Sequence, residues 1–149
     1  MHEEVVMSWS IEASAEARLS PADVFAYYVE PSTWGKWGHN TRWARARGPV
    51  VEGATIDVKA GYGKVYPVLV RKIEQDRYIE CVVRPPGMVV VNRYAVEPSG
   101  GGVRIRHGIE VSGRIAGLTR AMQLDKLYTR LLRKEIRRLI ALAQTASAP

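Results

Sequence analysis

The side chain best suited to moving a proton in this chain is a histidine set in an apolar strand. Val103, Ile105, Ile109 and Val111 share the parity of His107, while Arg104, Arg106 and Glu110 point the other way. His107 is therefore expected to face inward, where an imidazole can give or take a proton near neutral pH. The competing reading is a core histidine hydrogen-bonded to a neighbour. Val90, Asn92, Tyr94 and Val96 also share one face, opposite Arg93 and Glu97, so Asn92 and Tyr94 are expected to join His107 inside. Tyr66 has the parity of Val68 and Val70 and adds a second phenol. Tyrosine hydroxyls and an amide can orient a carbonyl or stabilise an enolate. Equally, a buried tyrosine can pack its ring and satisfy its hydroxyl on the backbone.

Arg42 shares its parity with Ala44 and Ala46. It either reaches the cavity mouth, to bind a carboxylate or phenolate, or lies solvated near a strand end. The stretch PSTWGKWGHN reads as a tight helical turn and loop carrying Trp34 and Trp37, and Trp37 is assigned to the ligand-binding set. His39 and Asn40 follow as surface loop, with the cavity entrance as the alternative. Cys81 has the inward parity of Ile79 and Val83 and reads as a small core residue, with a nucleophile as the alternative, and it is assigned to the ligand-binding set.

The carboxylates inform by where they fall. Glu12, Glu16, Asp57, Glu80, Glu97 and Glu110 all lie opposite the apolar parity of their strands, which leaves no buried acid pair of the kind glycosidases need. GYGKVY lacks the Lys-Ser/Thr ending of a phosphate-binding loop and leads into a strand, so nucleotide chemistry is not expected. A lone Cys81 with no Cys/His framework predicts neither a disulfide nor a metal site, and no cofactor is expected.

These side chains need a sheet and a cover to hold them. From Trp9 to Leu19, apolar and polar residues alternate as in a half-buried strand. Ser20 can N-cap a helix in which Pro21 suits the first position and Asp23 meets the positive end. Strands are predicted over 41–47, 54–60, 64–74, 78–84, 88–97 and 103–112, the last two joined by the PSGGG hairpin. Between Leu118 and Ala143 there is neither Gly nor Pro, and the apolar residues recur at helical spacing, which predicts one continuous amphipathic helix with a frayed tail. Strands on one face and a long terminal helix make an α+β layer, a curved seven-stranded antiparallel sheet wrapped on the helix.

A length of 149 residues fits a single domain, with an ordered core expected over 8–143. The first residues, MHEEVVMSW, are acidic and unlike a secretory signal, and no apolar run approaches a membrane span, so a cytoplasmic protein is expected. The net charge of +7 concentrates on the last helix, where Arg120, Lys126, Arg130, Arg133, Lys134, Arg137 and Arg138 oppose only Asp125 and Glu135. That face reads as solvated, with an anionic membrane surface as the alternative partner; nucleic acid is not expected, because the helix is committed to the core. The oligomeric state is left open.

The order strand, two short helices, six strands and long helix resembles the START-like (SRPBCC) superfamily, most closely its polyketide cyclase/dehydrase-like bacterial members. SPADVFAYYVEPSTWGKWG is similar to that family's first helix and Trp-x-x-Trp turn, and YAVEPSGGGVRIRHGIEVSG to its penultimate hairpin. The helix LTRAMQLDKLYTRLLRKEIRRLIALA completes the likeness over nearly the whole chain. The resemblance implies a helix-grip fold that binds an apolar or aromatic small molecule, lipid- or polyketide-like, between sheet and helix. It also implies an alternative, a cyclase or dehydratase in which His107 shuttles protons while Tyr66, Tyr94 or Arg42 supports an oxyanion.

Overall fold

The computed structural model describes residues 8–147. The acidic residues 1–7, on which the cytoplasmic expectation drew, and residues 148–149 lie outside the described residues. Seven strands run β1 (Ser8–Ala17), β2 (Thr41–Ala46), β3 (Thr55–Ala60), β4 (Val65–Glu74), β5 (Tyr78–Val83), β6 (Val89–Ser99) and β7 (Gly102–Ser112). They form one antiparallel sheet in the order β1-β7-β6-β5-β4-β3-β2, so the first two strands of the chain are its two edges. Between those edges the chain makes α1 (Pro21–Tyr28), a 3-10 turn at Pro31–Thr33 and α2 (Trp34–Trp37). Ser20 caps α1 as expected, its hydroxyl accepting from the Asp23 N–H at 3.1 Å. The fold is the α+β helix grip, a curved sheet closed on a long C-terminal helix.

That helix is not continuous with the turn before it. Helix α3 (Ala116–Ala121) ends at Met122–Gln123, where Gln123 adopts φ +60, and α4 (Leu124–Ser147) begins. The Gln123 N–H bonds back to the Arg120 carbonyl at 2.9 Å, closing α3 in the manner of a left-handed C-terminal cap. A straight helix would have carried the whole apolar series against the sheet. The break instead leaves Leu118 and Met122 60% and 63% exposed, while Thr119 turns inward to accept a 3.0 Å hydrogen bond from the Trp9 indole. The break is a correction to the single helix expected from the absence of Gly and Pro: such caps usually carry Gly or Asn, and a glutamine there leaves no sequence signal. The tail also stays helical as far as Ser147 rather than fraying at Ala143. The seven lysines and arginines from Arg120 to Arg138 are all exposed, and no described helix is long and apolar enough to cross a membrane.

Along α4, Leu132, Ile136, Leu139 and Ala143 are buried against the sheet, and at about 36 Å its 24 residues cross the sheet. Two local features fix the turn after α2 against β2. Gly35 packs so closely that a Cβ there would sit 2.5 Å from the Arg42 carbonyl oxygen. Asn40 adopts φ +49, a conformation asparagine tolerates better than most residues, and its side-chain and main-chain oxygens both accept from the Gly61 N–H. His39 lies between these anchors, directly before Asn40.

Candidate functional site

A cavity of about 420 Å³ lies between the inner face of the sheet, the turn at residues 38–41 and the first half of α4. Strand alternation supplies its wall: Val58 from β3, Val68 from β4, Val83 from β5, Val90 from β6, Ile109 and Val111 from β7. On the same parity Tyr66, Cys81, Asn92 and Tyr94 line it, and Trp37 closes it from α2. At the mouth the Tyr62 hydroxyl donates to Tyr66 Oη at 3.0 Å. Among the described residues neither Tyr94 Oη nor the Asn92 amide has a hydrogen-bond partner. Since no buried side-chain nitrogen or oxygen of the described residues is left unpartnered, both groups reach accessible surface.

From this wall a polar chain runs back through the core, with His39 and Glu135 at the cavity and His107 and Tyr28 behind them. Glu135 of α4 is 1% exposed and receives hydrogen bonds from both sides. His107 Nδ1 donates to Oε1 at 2.7 Å, and His39 gives Oε2 both its ring Nδ1–H at 2.6 Å and its backbone N–H at 2.8 Å. His107 Nε2 in turn accepts from the Tyr28 hydroxyl at 2.8 Å. A carboxylate can only accept, so both rings carry a proton on Nδ1, and every buried polar side-chain atom of this network is satisfied. Rings surround it: Tyr94 meets His107 edge-on at 4.8 Å, and Trp37 lies 5.8 Å from the same imidazole.

Electrostatics follow from this packing. Burial alone would raise the Glu135 carboxyl, but the charge of His39 and the hydrogen bonds from both histidines outweigh it and hold the group well below the usual carboxylate range. Burial alone would lower His39, yet the Glu135 charge and hydrogen bond prevail and its pKa is raised. Burial and the neighbouring Glu135 charge push the Tyr28 and Tyr94 hydroxyls well up, so both remain hydrogen-bond donors.

A family model described as polyketide cyclase / dehydrase and lipid transport matches residues 8–144. The chain belongs to that family. The solved structures it resembles include a START superfamily protein from Mycobacterium smegmatis (TM-score 0.76, 11% identity, 93% of this chain and 99% of the other covered). Norcoclaurine synthase from Thalictrum flavum superposes with TM-score 0.73 at 12% identity, covering 97% and 91% of the two chains. The di-domain ARO/CYC StfQ of the steffimycin biosynthetic pathway superposes with TM-score 0.76 at 11% identity, covering 94% of this chain and 52% of the other. At these identities the likeness is one of fold. No curated protein matches the chain.

Within this family member the sequence-derived residues separate into three groups. Trp37, Tyr66, Cys81, Asn92 and Tyr94 line the cavity. His107 faces inward but sits one layer behind the lining, completely buried, with both nitrogens engaged, as the core-histidine reading described. Arg42 is exposed and outside the lining, because a β-bulge between Thr41 and Trp43 interrupts the alternation that would have turned it inward. Two residues corrected the sequence reading. Glu135, counted among solvated helix charges, is in the core, and His39, taken as surface loop, lines the cavity. Helical spacing carried a signal for Glu135, which stands three residues after Leu132 and four before Leu139 on the buried stripe.

Burial pushes the Cys81 thiol up to about 12. At pH 8 its thiolate fraction is then roughly 10⁻⁴, and alkylation by iodoacetamide is expected to run roughly a thousandfold slower than for an ordinary thiol. Because Cys81 lines the cavity, an occupying ligand should slow it further. Mass spectrometry of a labelling time course measures both; a rate like that of glutathione would contradict the burial.

Proposed function

We propose that this protein binds an apolar or aromatic small molecule, lipid- or polyketide-like, in the cavity between the sheet and its C-terminal helix. The lining carries this reading: an apolar wall interrupted by a few convergent polar groups, among them Asn92 and Tyr94, whose hydrogen-bonding capacity the protein itself leaves unused. A volume of about 420 Å³ lies within the roughly 300–1,000 Å³ typical of small-molecule sites. The family's description pairs cyclase/dehydrase chemistry with lipid transport, and both uses require such a cavity. The position of His107 favours binding over a His107-centred cyclase or dehydratase: a proton shuttle must come within hydrogen-bond reach of its substrate, directly or through one water, and both nitrogens here are already bonded in the core.

The test is titration with N-phenyl-1-naphthylamine, a neutral apolar fluorophore, followed by displacement with lipids and aromatic polyketide-like compounds. Saturable binding at one site per chain is expected, with Tyr94→Ala weakening a competitor that bears an acceptor oxygen by roughly fivefold, the worth of one neutral hydrogen bond. Absence of saturable binding would remove this function.

A further inference from the structure

The composition of the cavity lining singles out one side chain. Among the described residues its titratable groups are Tyr62, Tyr66, Cys81, Tyr94, Tyr128, Glu135 and His39. His39 is the only one of these that can carry a positive charge, and Glu135 the only carboxylate. His39 commits its Nδ1–H and backbone N–H to Glu135 Oε2, while its ring rests edge-on against Tyr128 at 5.7 Å. Its Nε2 bonds to no described residue, and because no buried side-chain nitrogen among the described residues is unpartnered, Nε2 reaches accessible surface.

Resting on the ligand-binding reading above, we propose that His39 is the polar anchor of the cavity, donating from Nε2–H to an acidic oxygen, a carboxylate or phenolate, carried by an otherwise apolar aromatic ligand. Glu135 is the positioning residue. It fixes the ring by its two-point hold on residue 39, and its charge keeps the imidazole protonated. His107 acts through it, satisfying the carboxylate oxygen that His39 does not use, and Tyr28 holds His107 from its other nitrogen. The raised pKa of His39 agrees with a protonated ring, and the cause is the Glu135 charge on the side facing away from Nε2. The groups facing the imidazole are Glu135 and Tyr128 of α4, and no described lysine or arginine lines the cavity to take the same role.

The experiment compares 2-naphthoate, 2-naphthol and naphthalene by calorimetric titration at pH 6, with the naphthoate series repeated up to pH 9. Wild-type protein is expected to bind naphthoate at least tenfold more tightly than naphthalene, as a charge-assisted hydrogen bond requires, with naphthol between them. The naphthoate preference should fade as pH rises through the raised His39 pKa. His39→Phe should collapse the naphthoate-to-naphthalene ratio to near one. Glu135→Gln should move the pH at which the preference fades to a lower value, a change that loss of packing alone would not produce. Should His39→Phe fail to fold, the ¹⁵N shift of His39 Nε2 in wild-type protein serves instead: it should move on adding naphthoate and stay put with naphthalene. A wild type that binds naphthalene as tightly as naphthoate, a ratio unchanged in His39→Phe, or a silent Nε2 would each overturn the anchor while leaving the cavity reading standing. Failure of all three compounds to bind would overturn both.

Discussion

Glu135→Ala is expected to destabilise the fold by roughly 3–5 kcal/mol, because it leaves the buried His107 and His39 donors without the acceptor that both rings need. For a chain of this size the melting temperature should fall by roughly 10 °C. Chemical denaturation and calorimetry measure the loss, and a change below about 1 kcal/mol would show that the carboxylate does not organise the core. Since both residues belong to one network, His39→Ala combined with Glu135→Ala should lose less than the sum of the single changes.

The pH dependence has a definite sign. The Glu135 pKa is lowered in the folded protein, so its contribution is present above its unfolded value near 4.5 and is lost as pH falls. The His39 pKa is raised, so its contribution is complete below its unfolded value near 6.5 and is lost as pH rises through the folded value. The stability gap between wild type and Glu135→Ala should therefore be widest between about pH 4.5 and 6.5 and narrow on both sides.

Trp37→Ala is the second large effect. This indole is 2% exposed, donates to Thr33 Oγ1 at 3.1 Å and meets the rings of Tyr28, Tyr94, His107 and Trp34 within 6.3 Å. Its removal is expected to destabilise by roughly 3–5 kcal/mol, the range for truncating a buried aromatic, and to enlarge the cavity from its α2 side. Trp37→Phe should recover most of that stability. Unfolding in urea gives the energetics, and binding of a bulkier aromatic probe by Trp37→Ala reports the added volume. An unchanged urea midpoint in Trp37→Ala would remove Trp37 from the core it is seen to join.

How much of this was legible depends on how local each signal is. Strand parity has a period of two and needs no knowledge of partners, so Tyr66, Cys81, Asn92 and Tyr94 could be assigned to the inner face from neighbours alone. The same rule turned His107 inward, but parity tells which face a side chain takes and not whether a ring stands in front of it. In this fold Tyr94 does. Parity misled at Arg42, where the bulge breaks the count. For Glu135 the residue type spoke against the spacing, and only its partners reconcile them. His39 lies 96 positions away and His107 lies 28 away, distances over which no local pattern reports.

The sequence by itself determined the class of fold, the order of its elements and the apolar inner face of the sheet, because alternation, helical spacing and turn residues act between neighbours. Tertiary structure alone decided that a glutamate on the helix would be buried, and that a loop histidine would lean on it and face the cavity. The physical reason is that an ionised carboxylate enters a protein core only when donors from distant parts of the chain converge on it. Here those donors come from the turn after α2 and from β7, with Tyr28 of α1 completing the chain behind His107, and they meet only when the sheet closes on α4.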